Sequence, residues 1–226
     1  MTNEEILARI DHTLLKAFAT WEEIRSLCEE ALRYQTASVC IPPSYVKRVK
    51  ERFPALNVCT VIGFPLGYSA GEIKAVEAAR AVQDGASEID MVINIGDVKN
   101  GDFDRVTAEI RSVREAIGAE RLLKVIIETC YLTEDEKIRL CACVGDGQAD
   151  YIKTSTGFGT AGAKIEDIRL FKKHLRTGVK IKAAGGVKTR EDLELFITEG
   201  ADRIGTSSAI SLLTGEAAKA EVIHKA

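Results

Sequence analysis

The chain has 226 residues, 46% of them hydrophobic, with 31 Lys+Arg against 34 Asp+Glu for a formal charge of −3. Charges of both signs are scattered along it without the basic footprint of a nucleic-acid binder, and no apolar run approaches the roughly 18 residues of a membrane span. The start, MTNEEILARI, places acids where a secretory signal has a basic and then an apolar segment, so a cytoplasmic protein without nucleic-acid or membrane partners is expected.

Along the chain, short runs rich in β-branched and apolar residues alternate with longer segments of helical period, the pattern of βα units around a parallel sheet. After a short N-terminal helix, strands are predicted at 12–15, 38–41, 58–62, 88–93, 122–127, 151–154, 179–183 and 203–205. Helix starts are marked by a Ser or Thr followed three residues later by an acid, at Thr20/Glu23, Ser69/Glu72, Thr133/Glu136 and Thr189/Asp192. Trp21, Ile24, Leu27, Cys28, Ala31 and Leu32 then recur at three- and four-residue steps as one apolar stripe. Similar stripes over 102–117, 164–175 and 189–199 are followed by Gly118, Gly178 and Gly200, where a left-handed cap needs glycine.

Eight such units consume nearly the whole length, and no Pro/Ser-rich linker interrupts them. A single-domain (β/α)8 TIM barrel over residues 1–226 is therefore expected. An open doubly wound sheet is the weaker alternative, because no GxGxxG follows the first strand and no GxxxxGK[ST] occurs anywhere. The cysteines at 28, 40, 59, 130, 141 and 143 contain no CxxC pair, and His12, His174 and His224 lack a paired spacing. Neither disulfides nor a metal nor any other cofactor is expected.

In a barrel the site lies at the C-terminal ends of the strands, and two lysines fall there inside short apolar runs: Lys153 in YIKTSTG and Lys182 in VKIKAAGG. A single strand lysine is ordinarily a side chain that reaches water or a carboxylate at a strand end. Two of them, each just before a Ser/Thr/Gly-rich turn, point instead to an amine beside a second cation in a poorly solvated pocket, a free nucleophile for imine chemistry on a carbonyl. Lys180 shares a face with Lys182 but lies farther from the Gly185-Gly186 turn; Lys124 has Glu128 on its own face, which suits a charge network as well as catalysis. Asp90 stands between Ile89 and Met91, so it needs an ion-pair partner; pairing with a strand lysine serves structure and proton transfer alike. The turns STGFG, AGGVK and GTSS after the last three strands let backbone N–H groups approach an anion, which fits a phosphorylated substrate.

These stretches, from IDHTLLK, SVCIPP, GFPLG, EIDMVINIG and LKVIIET to YIKTSTGFG, KAAGGVK and RIGTSS, resemble the deoxyribose-phosphate aldolase family over nearly the whole chain. The resemblance implies a metal-free class I aldolase on a (β/α)8 barrel, with small phosphorylated sugar and aldehyde substrates; a homo-oligomer, dimer or tetramer, is compatible with it. It makes Lys153 the Schiff-base lysine, Lys182 the second lysine that lowers its pKa and joins a proton relay, and Asp90 the proton donor and acceptor. Gly157, Gly185, Gly186, Gly205, Ser207 and Ser208 would hold the phosphate, with Asp11, Thr13 and Cys40 lining the substrate side. Two departures stand out: the chain stops at Ala226 without the terminal tyrosine of some members, and Phe158 stands where some carry a lysine. Two other readings of the same residues are a phosphosugar isomerase or decarboxylase that uses the lysines as electrostatic clamps, and a non-catalytic phosphometabolite-binding protein.

Overall fold

A parallel strand covered by helices on one side and by barrel filling on the other is buried on both faces, so it must be apolar or carry polar groups that find partners. The computed structural model describes residues 1–216. His224 and the stretch that ends at Ala226 lie outside the described residues. Strands β1 (Ile10–Thr13), β2 (Ser38–Ile41), β3 (Val58–Ile62), β4 (Glu88–Val92), β5 (Leu122–Ile126), β6 (Tyr151–Lys153), β7 (Lys180–Ala184) and β8 (Arg203–Thr206) form a closed barrel in chain order. Every pairing is parallel, including that of β8 with β1. The helices are α1 (Asn3–Leu7), α2 (Trp21–Tyr34), α3 (Val46–Arg52), α4 (Gly71–Gln83), α5 (Ile95–Lys99), α6 (Phe103–Ile117), α7 (Glu134–Asp146), α8 (Ile165–His174), α9 (Arg190–Glu199) and α10 (Ala209–Thr214). This is the expected (β/α)8 barrel.

Strand parity decides which side chains fill the barrel. Ile89 and Met91 on β4, and Leu123 and Val125 on β5, join the apolar core shared with the helices. The residues between them, Asp90 and Lys124, therefore face inward, opposite each other in register. A small inner cluster of Cys40, Cys59 and Val61 fills the barrel beside β2 and β3. Polar groups fill the interior beside it, with Cys59 Sγ 3.2 Å from both Lys124 Nζ and Asp90 Oδ1.

Three of the four expected capping boxes form. Thr20, Thr133 and Thr189 each accept a hydrogen bond from the backbone N–H three residues on, while the side chain of Glu23, Glu136 or Asp192 accepts from the threonine N–H. A fourth box, Thr2 with Glu5, starts α1 and was not anticipated. Ser69/Glu72 is a correction: α4 starts at Gly71 with Ala70 at its N-cap and no side-chain cap. Gly178 is another, since α8 ends at His174 and Gly178 (φ +97°) turns the chain into β7 beyond the helix cap at Leu175. The first strand also begins two residues earlier than expected, because its ladder with β8 starts at Ile10.

Candidate active site

Asp90 has no water to solvate it, being wholly buried on β4, so its two oxygens must be satisfied by side chains. Its Oδ2 accepts from Lys153 Nζ at 2.6 Å and from Lys182 Nζ at 2.7 Å; its Oδ1 accepts from Lys124 Nζ at 2.8 Å. The register delivers these partners, since Lys153 and Lys182 sit opposite each other on β6 and β7 and Lys124 sits opposite Asp90. Burial alone would raise the Asp90 carboxyl, but Lys124, Lys153 and Lys182 together hold it well below the ordinary carboxylate range.

Deeper in the barrel the ion pairs continue. Lys124 also pairs with Glu88 at 2.6 Å, Lys182 pairs with Asp11, and Arg203 pairs with Asp11 at 2.5 Å. Ser38 donates its hydroxyl to Asp11 at 2.7 Å. Burial pushes Asp11 up, yet Lys182, Lys124 and Arg203 overcome it and hold the group below its usual value. Lys182 shows the converse: burial lowers it, but Asp11 and Asp90 raise it above the ordinary lysine value, so it stays a cation. Three carboxylates (Asp11, Glu88, Asp90) thus face four cations (Lys124, Lys153, Lys182, Arg203). An unbalanced charge in a dry interior costs several kcal/mol. Each cation except Lys153 has at least two acid partners, while Lys153 has Asp90 alone.

Above this floor opens a cavity of about 300 Å³, and of the four cations Lys153 alone lines it. Thr13, Gly157, Gly185, Gly186, Gly205, Ser207 and Ser208 line it as well, so these expected substrate and phosphate residues are brought together. Asp11, Asp90, Lys182 and Cys40 lie beneath the cavity surface. Glycine is required in the turn after β7: Gly185 and Gly186 have φ of +74° and +79°, and a Cβ on Gly185 would sit 3.2 Å from Gly162 Cα. Gly205 serves the floor too, because a Cβ there would come within 3.1 Å of Lys182 Cε. Phe158 is half exposed on the far wall, its ring edge-on to Phe64 at 5.3 Å.

Three features escaped the sequence reading. Lys124 joins the floor network through Glu88 and Asp90 on the neighbouring strand, not through Glu128. Glu128 leaves β5 in a left-handed conformation (φ +53°) and accepts from the Thr156 N–H and hydroxyl, which fixes the turn after Lys153. Lys16 lines the cavity mouth. Lys180, at the start of β7, lies against the Tyr151 ring at 5.7 Å, away from the cavity. Two trios of possible metal donors, Cys40–Cys59–Asp90 and Asp11–Cys59–Glu88, lie within 4.8 Å of one another. Lys124 Nζ already contacts Cys59 at 3.2 Å as well as Glu88 and Asp90, so an ammonium sits where a metal ion would bind. Cys40 has its thiol lowered by a hydrogen bond from Cys59, against the effect of burial.

A closed parallel barrel with a buried carboxylate shared by three lysines, one of them lining a cavity beside the turns after β6, β7 and β8, has the form of a barrel enzyme with an amine at its site. Comparison with known proteins agrees. A family model described as DeoC/LacD family aldolase matches residues 6–216. A deoxyribose-phosphate aldolase of Clostridium botulinum is 60% identical over 217 residues, covering 96% of this chain and 98% of its own. Among solved structures, a putative deoxyribose-phosphate aldolase from Coccidioides immitis superposes with a TM-score of 0.91 at 39% identity, covering 95% of this chain and 87% of its own. A tetrameric deoxyribose phosphate aldolase from Aeropyrum pernix gives 0.86 at 33%, with 94% and 91% covered. The chain belongs to the DeoC/LacD family of aldolases.

Proposed function

We propose that this protein is a class I aldolase that reversibly cleaves 2-deoxy-D-ribose 5-phosphate to D-glyceraldehyde 3-phosphate and acetaldehyde through an imine on Lys153. The observation that carries the reading is the placement of Lys153: a cavity-lining amine on Asp90 Oδ2, with Lys182 on the same oxygen. The family membership and the names of the relatives support the substrate.

The reaction runs as follows. The Lys153 amine adds to C1 of the open-chain aldehyde and water leaves, giving a protonated imine. Five carbons divide into two and three, so the C2–C3 bond breaks: its electron pair flows into the imine to form an enamine, and the C3 hydroxyl gives up its proton as that carbon becomes the aldehyde of the product. A proton returned to C2 restores the imine, and water releases acetaldehyde and the free amine. Asp90 Oδ2 accepts from both Lys153 and Lys182, which links the three groups in one hydrogen-bonded chain; through it, and through water in the cavity, these protons pass. Phosphate held among Gly157, Gly185, Gly186, Ser207 and Ser208 would position C1 over Lys153, converting remote binding energy into orientation. Asp11 shapes the site from beneath by holding Lys182 charged, Thr13 borders the substrate side, and Cys40 lies beneath it. Among the described residues, no acidic side chain lines the cavity, which suits an anionic substrate.

Borohydride reduction in the presence of acetaldehyde, followed by peptide mass analysis, tests the assignment. A two-carbon adduct on Lys153 is expected; an adduct elsewhere, or none, overturns it. The reading also treats the whole chain as one catalytic barrel domain, places it in the cytoplasm and allows a homo-oligomer. No helix among the described residues is long and apolar enough to cross a membrane.

A further inference from the structure

We infer that Lys16 is the phosphate-directed cation of this site, a specificity-determining residue on the loop after β1; the inference rests on the substrate class proposed above. A phosphate dianion drawn out of water needs positive charge as well as N–H donors. Among the described residues, the cavity lining holds two cationic side chains, Lys16 and Lys153. Lys153 is committed at the floor, where it faces Asp90 and the reacting carbon. The turns that would cradle the phosphate are neutral, and the loop after β6 contributes the aromatic ring of Phe158 to the same lining. Helix α10, which follows the GTSS turn, is a six-residue segment, too short to supply a substantial dipole.

Topology puts Lys16 beside that turn. Strand β1 pairs with β8, with His12 opposite Thr206, so the loops that leave the two strands emerge side by side, one bearing Lys16 and the other Ser207 and Ser208. The base of the Lys16 loop is anchored, with Leu14 N–H bonded to Cys40 O at 3.0 Å and Ala19 N–H to Lys16 O at 3.0 Å. The side chain itself is exposed, and its Nζ stands 5.9 Å from the Phe18 ring centroid rather than in an ion pair with an acid among the described residues. A weakly held, anchored cation at the mouth is free to turn onto an incoming anion.

The test compares wild type with Lys16→Met, which keeps the stem and removes the charge, and with Lys16→Arg, which keeps the charge. For each, kcat/KM is measured with 2-deoxyribose 5-phosphate and with unphosphorylated 2-deoxyribose, alongside the dissociation constant of inorganic phosphate from calorimetry. Lys16→Met should lower the preference for the phosphorylated sugar about tenfold, mainly through KM, and weaken inorganic phosphate by a similar factor, as expected for loss of one charge-assisted contact. Lys16→Arg should recover most of both. An unchanged preference with unchanged phosphate binding overturns the inference, as does an equal loss on both sugars, which would mark a purely structural role. If the wild type fails to cleave either sugar, the aldolase reading falls, and phosphate binding alone then decides the role of Lys16.

Discussion

At the floor of the barrel each reactive atom is held by side chains from several strands, whereas at the rim the walls are backbone turns and a few exposed side chains. Asp90 takes three lysines, and Asp11 takes Lys182, Arg203 and Ser38; all are buried or nearly so. Around the mouth, Gly157, Gly185 and Gly186 offer N–H groups from left-handed backbone, and Lys16 stands exposed. The contrast separates two tasks. Chemistry requires protonation states fixed in advance, which a dehydrated and over-determined network supplies. Recognition of a phosphate, the task proposed for the rim, requires close approach and adaptable charge, which glycine and an exposed lysine can supply.

Substitutions should break the two regions differently. The largest effect is expected from Lys153→Arg, which preserves a cation beside Asp90 but cannot form an imine. Cleavage should fall by at least roughly 10⁴-fold with little change in melting temperature; retained activity would favour a non-covalent isomerase or decarboxylase. Next comes Asp90→Asn, which leaves three buried lysines facing a neutral amide and should cost about 3–5 kcal/mol of stability as well as about 10²–10⁴ in kcat. Its pH signature follows from the sign of the shifts. The depressed carboxyls of Asp11 and Asp90 contribute stability that is complete above the unfolded-state value near 3.9 and is lost as pH falls toward their folded-state values. Denaturant melts across the acid range should therefore show a shallower acid loss in Asp90→Asn than in wild type.

A rim substitution should show the opposite profile. Gly186→Ala forces a side chain onto φ +79°, costing about 1–3 kcal/mol locally, and should raise KM for the phosphorylated sugar by about tenfold with kcat nearly kept. Equal loss of kcat would mean that rim and floor are coupled. Smallest of all, Thr133→Ala removes one N-cap and should cost about 1 kcal/mol by thermal melting with unaltered kinetics.

The floor was largely legible because its residues violate the local pattern: an acid between Ile89 and Met91, and lysines in short apolar strands, each demand a partner. Lys124 violates the pattern too, yet its partners could not be read, since the chain itself offers Glu128, an acid of the right parity four residues on. The structure instead turns Glu128 out to Thr156 and supplies Glu88 and Asp90 from the next strand. The rim glycines announced themselves as a group, but Lys16 did not, because an exposed lysine after a short strand breaks no rule. Capping spacing was reliable where the Ser or Thr fell at the true N-cap and failed at Ser69, where the helix starts one residue later than the motif implies.

What the sequence determined by itself is whatever depends on near neighbours in the chain: the βα rhythm, three threonine-started helices, and the positions where a charge sits in an apolar run. Only the tertiary structure decided the rest. Barrel closure brings β8 against β1 and thereby sets Lys16 beside Ser207 and Ser208. Cross-strand register turns four cations and three acids from scattered residues into one network, with Lys153 left as its least-paired cation. Charge interactions depend on distance in space and on exclusion of water, and neither is fixed until the barrel closes.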